Sequence, residues 1–492
     1  MGRDVPAITI TRQDRRAYRE KVHACLDVLE RMLLESRFDA GSRRVGLEIE
    51  FNLVDSLGYA AMTNADVLAA IDDPAWTSEL GQFNIELDSD PATLAGDVFS
   101  RLESGIAATL AHASERAESA GSRLMMIGIL PSLRRRDIGE HTISSNPRYR
   151  LLNDEIVAAR GEEMRISIDG RERLLAYTDH ILPEAACTSM QCHLQVSPEM
   201  FAGYWNAAQA AAGIQVAVGA NSPYLFGREL WRETRITLFE QATDTRSEEL
   251  KRQCVRPRVW FGERWIRSVT ELFAENLRYF PALLPLCDDE DPVAVLDRGE
   301  TPSLAELALH NGTVYRWNRP VYAVADGKPH LRVENRVLPA GPTLADALAN
   351  AAFYYGLVHE LAEMDPPVWS QMPFAAAAAN LGEGARHGLE AVVFWPGYGE
   401  IAVTELVQRH LLPLAARGLS RSGVAAADAT RLLSIIEQRC LFCQNGASWQ
   451  VASVHRLQDG GLADRDEALR LMTQDYIGRM NSKEPVHTWP IM

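Results

Sequence analysis

Gly46-Leu47-Glu48-Ile49-Glu50-Phe51-Asn52 decides how this chain reads. Side chains of a strand alternate between faces, so Glu48, Glu50 and Asn52 share one side and Leu47, Ile49 and Phe51 the other. Three further stretches repeat the pattern. In Gln82–Asp88 the polar positions Gln82, Asn84, Glu86 and Asp88 oppose Phe83, Ile85 and Leu87. In Met190–Val196 the set Gln191, His193 and Gln195 opposes Cys192, Leu194 and Val196. In Arg332–Val337 the trio Arg332, Glu334 and Arg336 opposes Val333 and Val337, with Asn335 out of pattern. Any one of these reads as a half-buried strand with its wet face in solvent. The choice of residues argues against that for the four together. Solvent faces of strands usually carry Thr, Lys, Ser or Arg, and Glu48 beside Glu50 is repulsive unless a cation lies between them. Carboxylates with one imidazole are a hard donor set suited to Mg2+ or Mn2+. The four strands therefore predict a metal-lined concave face.

Around them the period is helical. Val22, Cys25, Leu26, Leu29, Met32 and Leu33 place an amphipathic helix within 12–38, and further helical patterns cover about 93–120, 147–160, 199–218, 266–280 and 343–364. Short strands at long separations, with few βαβ signals, indicate an α+β fold with a mixed or antiparallel sheet. The acidic loop 287–303 and the stop at Asp365-Pro-Pro punctuate the chain, and from about 374 it turns Ala-rich. We expect an N-terminal helix packed on the core (1–43), a main unit (44–365) and a mainly helical extension (374–492).

The 492 residues are 47% hydrophobic and 24% charged, proportions of a globular chain that needs neither metal nor disulfide merely to fold. A net charge of −16 argues against nucleic acid and anionic membrane as partners. Seven irregularly spaced cysteines suggest a reducing compartment. Met1–Lys21 has no apolar core and so reads as no signal peptide, Pro6 breaks the myristoylation pattern after Gly2, and Ala207–Ala220 is too short to span a bilayer. The expectation is a cytoplasmic protein acting on small molecules, with a homo-oligomer left open. The usual phosphate devices are missing: Gly327-Lys328 runs into Pro329, no GxGxxG follows a strand, and His359-Glu360 lacks the second His of HExxH.

Taken in order, Gly46-Leu-Glu-Ile-Glu50, Asn84-Ile-Glu86, His193 on its strand, Ala220-Asn-Ser-Pro-Tyr224 and Arg332-Val-Glu-Asn-Arg336 resemble the second type of the glutamate–cysteine ligase family. The resemblance covers about 44–360. It implies a glutamine synthetase-like fold, a curved, mostly antiparallel sheet forming a funnel with flanking helices. It also implies ATP-dependent joining of a glutamate γ-carboxylate to the amine of cysteine through an acyl phosphate, with Mg2+ or Mn2+ as cofactor. Carried over by position, Glu48, Glu50, Glu86, His193 and Glu334 match the metal-holding residues. Glu334 and Arg336 match the catalytic pair, with Arg336 facing the transferred phosphoryl group. Arg319, in Arg316-Trp-Asn-Arg-Pro320, joins Arg336 as an ATP contact. Arg235, rather than Arg246, matches the residue for the substrate carboxylate, with Asn84 and Asn221 beside the substrate.

The chain departs from the family pattern in three places. Gln191-Cys-His-Leu-Gln195 stands where a His-Val-His-Val-Gly run is frequent. Gly128-Ile-Leu-Pro131 replaces Gly-Thr-His-Pro, and Arg228-Glu-Leu-Trp231 replaces a Gly-Tyr-x-Ser stretch. A different amine acceptor therefore stays open. So does a catalytically silent relative that binds ATP or an amino acid as a sensor or partner protein. Cys440, Cys443 and His455 would supply only three zinc ligands, and Arg134–Arg136 reads as a solvated turn.

Overall fold

An eight-stranded sheet, antiparallel at every pairing, organises the computed structural model, which describes residues 10–39 and 43–492. The sheet curls into a half-barrel. The predicted strands form its middle as Arg44–Val54, Asn84–Asp88, Ser189–Val196 and Lys328–Pro339. From edge to edge the order is Asn318–Ala325, Lys328–Pro339, Ser189–Val196, Arg44–Val54, Asn84–Asp88 and Trp76–Ser78. Ala92–Thr93 and Arg123–Met125 pair with the two ends of Arg44–Val54. The expected α+β fold, with a curved antiparallel sheet and flanking helices, is thus present, the sheet closing only as far as a half-barrel. Residues 1–9 and 40–42, which hold the ends of the expected 1–43 piece and the Gly2–Pro6 pattern, lie outside the described residues.

Register decides which polar side chains meet. Residues directly opposite in an antiparallel pair project to the same face. Glu50 lies opposite Glu86, Glu48 opposite both Asp88 and Gln191, and His193 opposite Glu334. Gly46 lies opposite His193 across the strands. The ladder between Ser189–Val196 and Lys328–Pro339 breaks between Asn335 and Leu338, and the Arg336 amide donates instead to Trp317 O at 2.8 Å. Asn335, out of pattern in the sequence, sits fully buried on the apolar side. There its amide donates to Asn318 Oδ1 at 2.8 Å and Gln215 Oε1 at 3.2 Å, so the buried polar group is satisfied.

Helices Pro198–Gly219 and Leu344–Glu363 cover the apolar face. The first is buried on every side from Tyr204 to Gly219, which explains its small apolar composition. Several helix bounds differ from the sequence reading for local reasons. The 12–38 helix is Arg12–Leu34: it opens on a Thr11/Asp14 capping box and stops before Ser36, whose φ is 54°. The 93–120 helix shortens to Val98–Ser119 because Ala92–Thr93 is spent on strand pairing. The 266–280 helix starts at the Ser268/Glu271 capping box and covers Val269–Tyr279.

Residues 374–492 contain helices and one hairpin, Val392–Trp395 with Gly399–Ala402, whose turn is Pro396-Gly-Tyr398. They dock by close backbone approach. A Cβ on Gly356 would meet Ala415 O at 2.3 Å, and one on Gly418 would meet Gly356 O at 1.9 Å. Arg439 adds a buried ion pair to Asp346 at 2.7 Å and a bond to Asn350. Overpacking such a contact costs about 1–3 kcal/mol. We expect Gly356→Ala and Gly418→Ala each to lower unfolding free energy by that amount in urea titrations. Wild-type midpoints in both would show that this helix pair does not depend on the contact.

Candidate active site

The polar face of the sheet floors a cleft of about 900 Å3. Glu48, Glu50, Asn84, Glu86, His193, Arg319, Glu334 and Arg336 all line it, so most of the residues picked from sequence come together. The pleat does this: each is an alternate position on one of five neighbouring strands. The structure adds Glu79, Glu184, Arg148 and Arg332 to the wall. Of these, Arg332 was visible in the strand pattern. Glu79 follows a three-residue strand, Glu184 sits in the short turn Leu182–Ala186, and Arg148 is in the first turn of helix Pro147–Arg160. None of the three belongs to a repeating pattern.

Two sequence candidates lie elsewhere. Arg235 is 3% exposed and spends its guanidinium on Glu233 at 3.0 Å and on the backbone carbonyls of Arg336 and Val337. It props the irregular backbone that presents Arg336 and does not line the cleft. Asn221 is wholly buried, donating to Ala340 O at 2.8 Å and Tyr476 Oη at 2.9 Å, and it binds the C-terminal helices to the sheet. Arg246 pairs with Asp244 at 2.8 Å, also away from the cleft wall. Of the features set aside, His455 pairs with Glu229 at 2.6 Å.

The acids of the cleft crowd one another. Three groups have ligand atoms within 4.8 Å: Glu48 with His193 and Glu334, Glu48 with Glu86 and Asp88, and Glu50 with Glu79 and Glu86. Burial, then the charge of Glu79, pushes Glu50 up to about 7 although Arg336 opposes the rise. Burial, then Glu48 and Glu79, holds Glu86 well above the usual carboxylate range. Asp88 rises to about 6 through burial and Glu48. Two members go the other way. Burial works against the charge of Glu48, but His193 holds it down to about 2, with Nε2 at 2.9 Å from Oε1. Against its own burial, Glu334 is kept well below the ordinary range by Arg319, which grips it with two bonds of 2.7 and 2.8 Å, and by Arg336 at 2.5 Å.

These residues fit a hard divalent cation. Oxygen donors from three strands converge, and neither ring nitrogen of His193 makes a well-aligned hydrogen bond despite its burial. A cation among Glu48, Glu50, Glu79, Glu86 and Asp88 would offset charges that repel in a low-dielectric cleft.

The curled sheet with an acid-lined polar face and helices behind it is the fold of the glutamine synthetase-like ligases. Glutamate–cysteine ligase from Francisella tularensis, solved with AMP, superposes with a TM-score of 0.54 at 12% identity, covering 93% of this chain and 97% of that one. A bifunctional glutathione synthetase from Pasteurella multocida gives a TM-score of 0.51 at 13% identity, over 92% of this chain and 54% of that one. No curated protein matches the sequence. Residues 44–464 match glutamate–cysteine ligase family 2, and the chain belongs to that family of carboxylate–amine ligases. Among the described residues no helix is long and apolar enough to cross a membrane.

The raised acids make a pH prediction. A carboxyl whose folded pKa lies above its unfolded value favours folding below the unfolded pKa and loses that contribution as pH rises through the folded one. Glu50 and Asp88 set the window between about pH 4 and 7. With chelator, the melting temperature should therefore fall across that window, and Mg2+ or Mn2+ should restore it at the upper end. A cation-independent melting temperature at neutral pH would remove the metal assignment.

Proposed function

We propose that this chain is an ATP- and Mg2+-dependent ligase that joins the γ-carboxylate of glutamate to the amine of cysteine through an acyl phosphate. The observation that carries the reading is one cleft holding a crowded acid set beside the pair Arg319 and Arg336, both fixed on Glu334. Joining a carboxylate to an amine is uphill, so the carboxylate must first be activated, which brings two anions together. Cations bound by Glu48, Glu50, Glu86, His193 and Glu334 would supply charge neutralisation for the phosphates. Glu334 restrains both guanidinium groups, which keeps their remaining N–H donors placed for equatorial phosphoryl oxygens. Gln191 accepts a bond from Arg336 and donates to Glu50 at 3.1 Å, linking the arginine to the acids. Arg235 acts through Arg336 as a positioning residue. Asn84 lines the same cleft with an Oδ1 that accepts no hydrogen bond among the described residues, which supports a role for it beside the substrate. All seven cysteines are free, consistent with work in the cytoplasm.

A second reading keeps the chemistry and changes the amine. Gln191 favours it, because this departure from the family pattern lies in the cleft, whereas Trp231 lies outside its wall and donates to Asp169 O at 2.8 Å.

Phosphate release from ATP and Mg2+ with glutamate, with and without cysteine, tests both when the product is weighed by mass spectrometry. A γ-glutamylcysteine mass with cysteine-dependent, multiple-turnover release is expected. Release that another amine stimulates far better selects the second reading, and failure to bind ATP overturns both. Arg336→Lys should reduce kcat by about 10²–10³-fold, as loss of a transition-state donor does. Glu48→Gln should abolish turnover in a protein that remains folded by circular dichroism. Near-normal turnover in either variant would sink that residue's role.

A further inference from the structure

A second cavity, of about 370 Å3, lies among helices Arg12–Leu34, Val269–Tyr279 and Ala305–Gly312. The same helices give Ala17, Phe273 and Ala308 to the cleft, so one set of elements walls both spaces, but no residue lines both. The charge of the second space is the reverse of the cleft's. Arg15, Arg19, His23, Arg278 and His310 line it, and no carboxylate does among the described residues, in a chain of net charge −16. Arg15 is answered by Glu155 at 2.6 Å. Arg19 and Arg278 are exposed, and neither enters an ion pair or a hydrogen bond among the described residues. A further guanidinium lies behind the wall. Arg258 is 2% exposed and donates to the carbonyl of the wall residue Pro281 and, at 2.9 Å, to Thr313 O, yet no acid pairs with it among the described residues. Its guanidinium stands 5.8 Å from the ring of Phe280, another wall residue. A buried cation without a counter-charge is costly, and its field adds to that of Arg19 and Arg278 over the apolar surface of Val22, Leu277 and Phe280.

His310 narrows what could enter. It is buried, its Nε2 donates to Asn276 O at 3.0 Å, and that bond makes Nδ1 an acceptor, which has no partner. Burial pushes the imidazole down to about 4, so Nδ1 stays an acceptor at neutral pH. We propose that this cavity binds a small organic oxyanion with a hydroxyl beside its charge, Arg19 and Arg278 taking the phosphate or carboxylate oxygens and His310 accepting from the hydroxyl. The site stands apart from the ligase reading, because none of its residues takes part in the chemistry of the cleft.

The test is isothermal titration calorimetry of the full chain at low ionic strength with glycerol 3-phosphate and with glycerate, which share the neighbouring hydroxyl and differ in the charged group. Saturable binding at one site is expected, and whichever probe binds more tightly names the charged group. Arg19→Met and Arg278→Met should each raise Kd about tenfold or more, the loss of one charge-assisted contact, and both side chains are exposed, so the fold should persist. Arg336→Lys, in the cleft, should leave Kd in place. Ethyl phosphate, which lacks the hydroxyl, should bind the unmodified protein more weakly than glycerol 3-phosphate, and His310→Phe should erase that difference. No saturable binding of either probe at millimolar concentration overturns the site. A Kd that follows Arg336 and ignores Arg19 and Arg278 places the probe in the cleft and overturns it too. Equal binding of ethyl phosphate and glycerol 3-phosphate to the unmodified protein overturns the hydroxyl recognition assigned to His310.

Discussion

Like charge on one sheet face is the constraint on which this structure turns. Glu50 opposite Glu86, and Glu48 opposite Asp88, are pairings that an ordinary antiparallel ladder avoids, since directly opposed acids destabilise it. Two devices within the chain relieve part of the repulsion: His193 against Glu48, and Arg319 with Arg336 against Glu334. Burial and the neighbouring acids outweigh the opposing charges at Glu79 and Glu86, and their carboxyls remain shifted toward the protonated form. Buried acids shifted together in one cleft mark a candidate functional site.

The rest of the fold holds this face rigid. The opposite face of the sheet is sealed by Pro198–Gly219 and Leu344–Glu363, so the strands cannot slide by one residue without turning the acids into the core. Behind those helices the chain packs backbone on backbone, Gly213 against Asn380 and Gly384, Gly356 against Ala415 and Gly418. Interfaces of this kind accept no added methyl group without movement, which stiffens the platform on which the acids converge.

The sheet and its acids were legible because period 2 writes both the burial and the facing of a strand into the sequence. Glu48, Glu50, Glu86, His193 and Glu334 were found that way. What failed to show was anything set by loops and helix ends. Glu79, Glu184 and Arg148 reach the cleft through a short turn and a first helical turn, where spacing carries no facing information. Arg235 and Asn221 illustrate the converse. Motif order located them, but order does not report depth, and both prove to be buried struts. Asn335 broke the alternation because its partners, Asn318 and Gln215, are distant in sequence and could not be anticipated from its neighbours.

Gln191 shows how a departure from the family pattern can preserve a site's physics. The resemblance puts a histidine at this position. A neutral imidazole offers one donor and one acceptor, and so does the required geometry here. The Gln191 carbonyl accepts from Arg336 while its amide donates to Glu50 at 3.1 Å and Glu86 at 3.4 Å. An amide does this without ever carrying charge, whereas an imidazole among these acids would be drawn toward its protonated form and compete with a metal for them. The replacement thus adds no charge among the acids, and it leaves Arg336 tethered to Glu50 and Glu86 through one side chain.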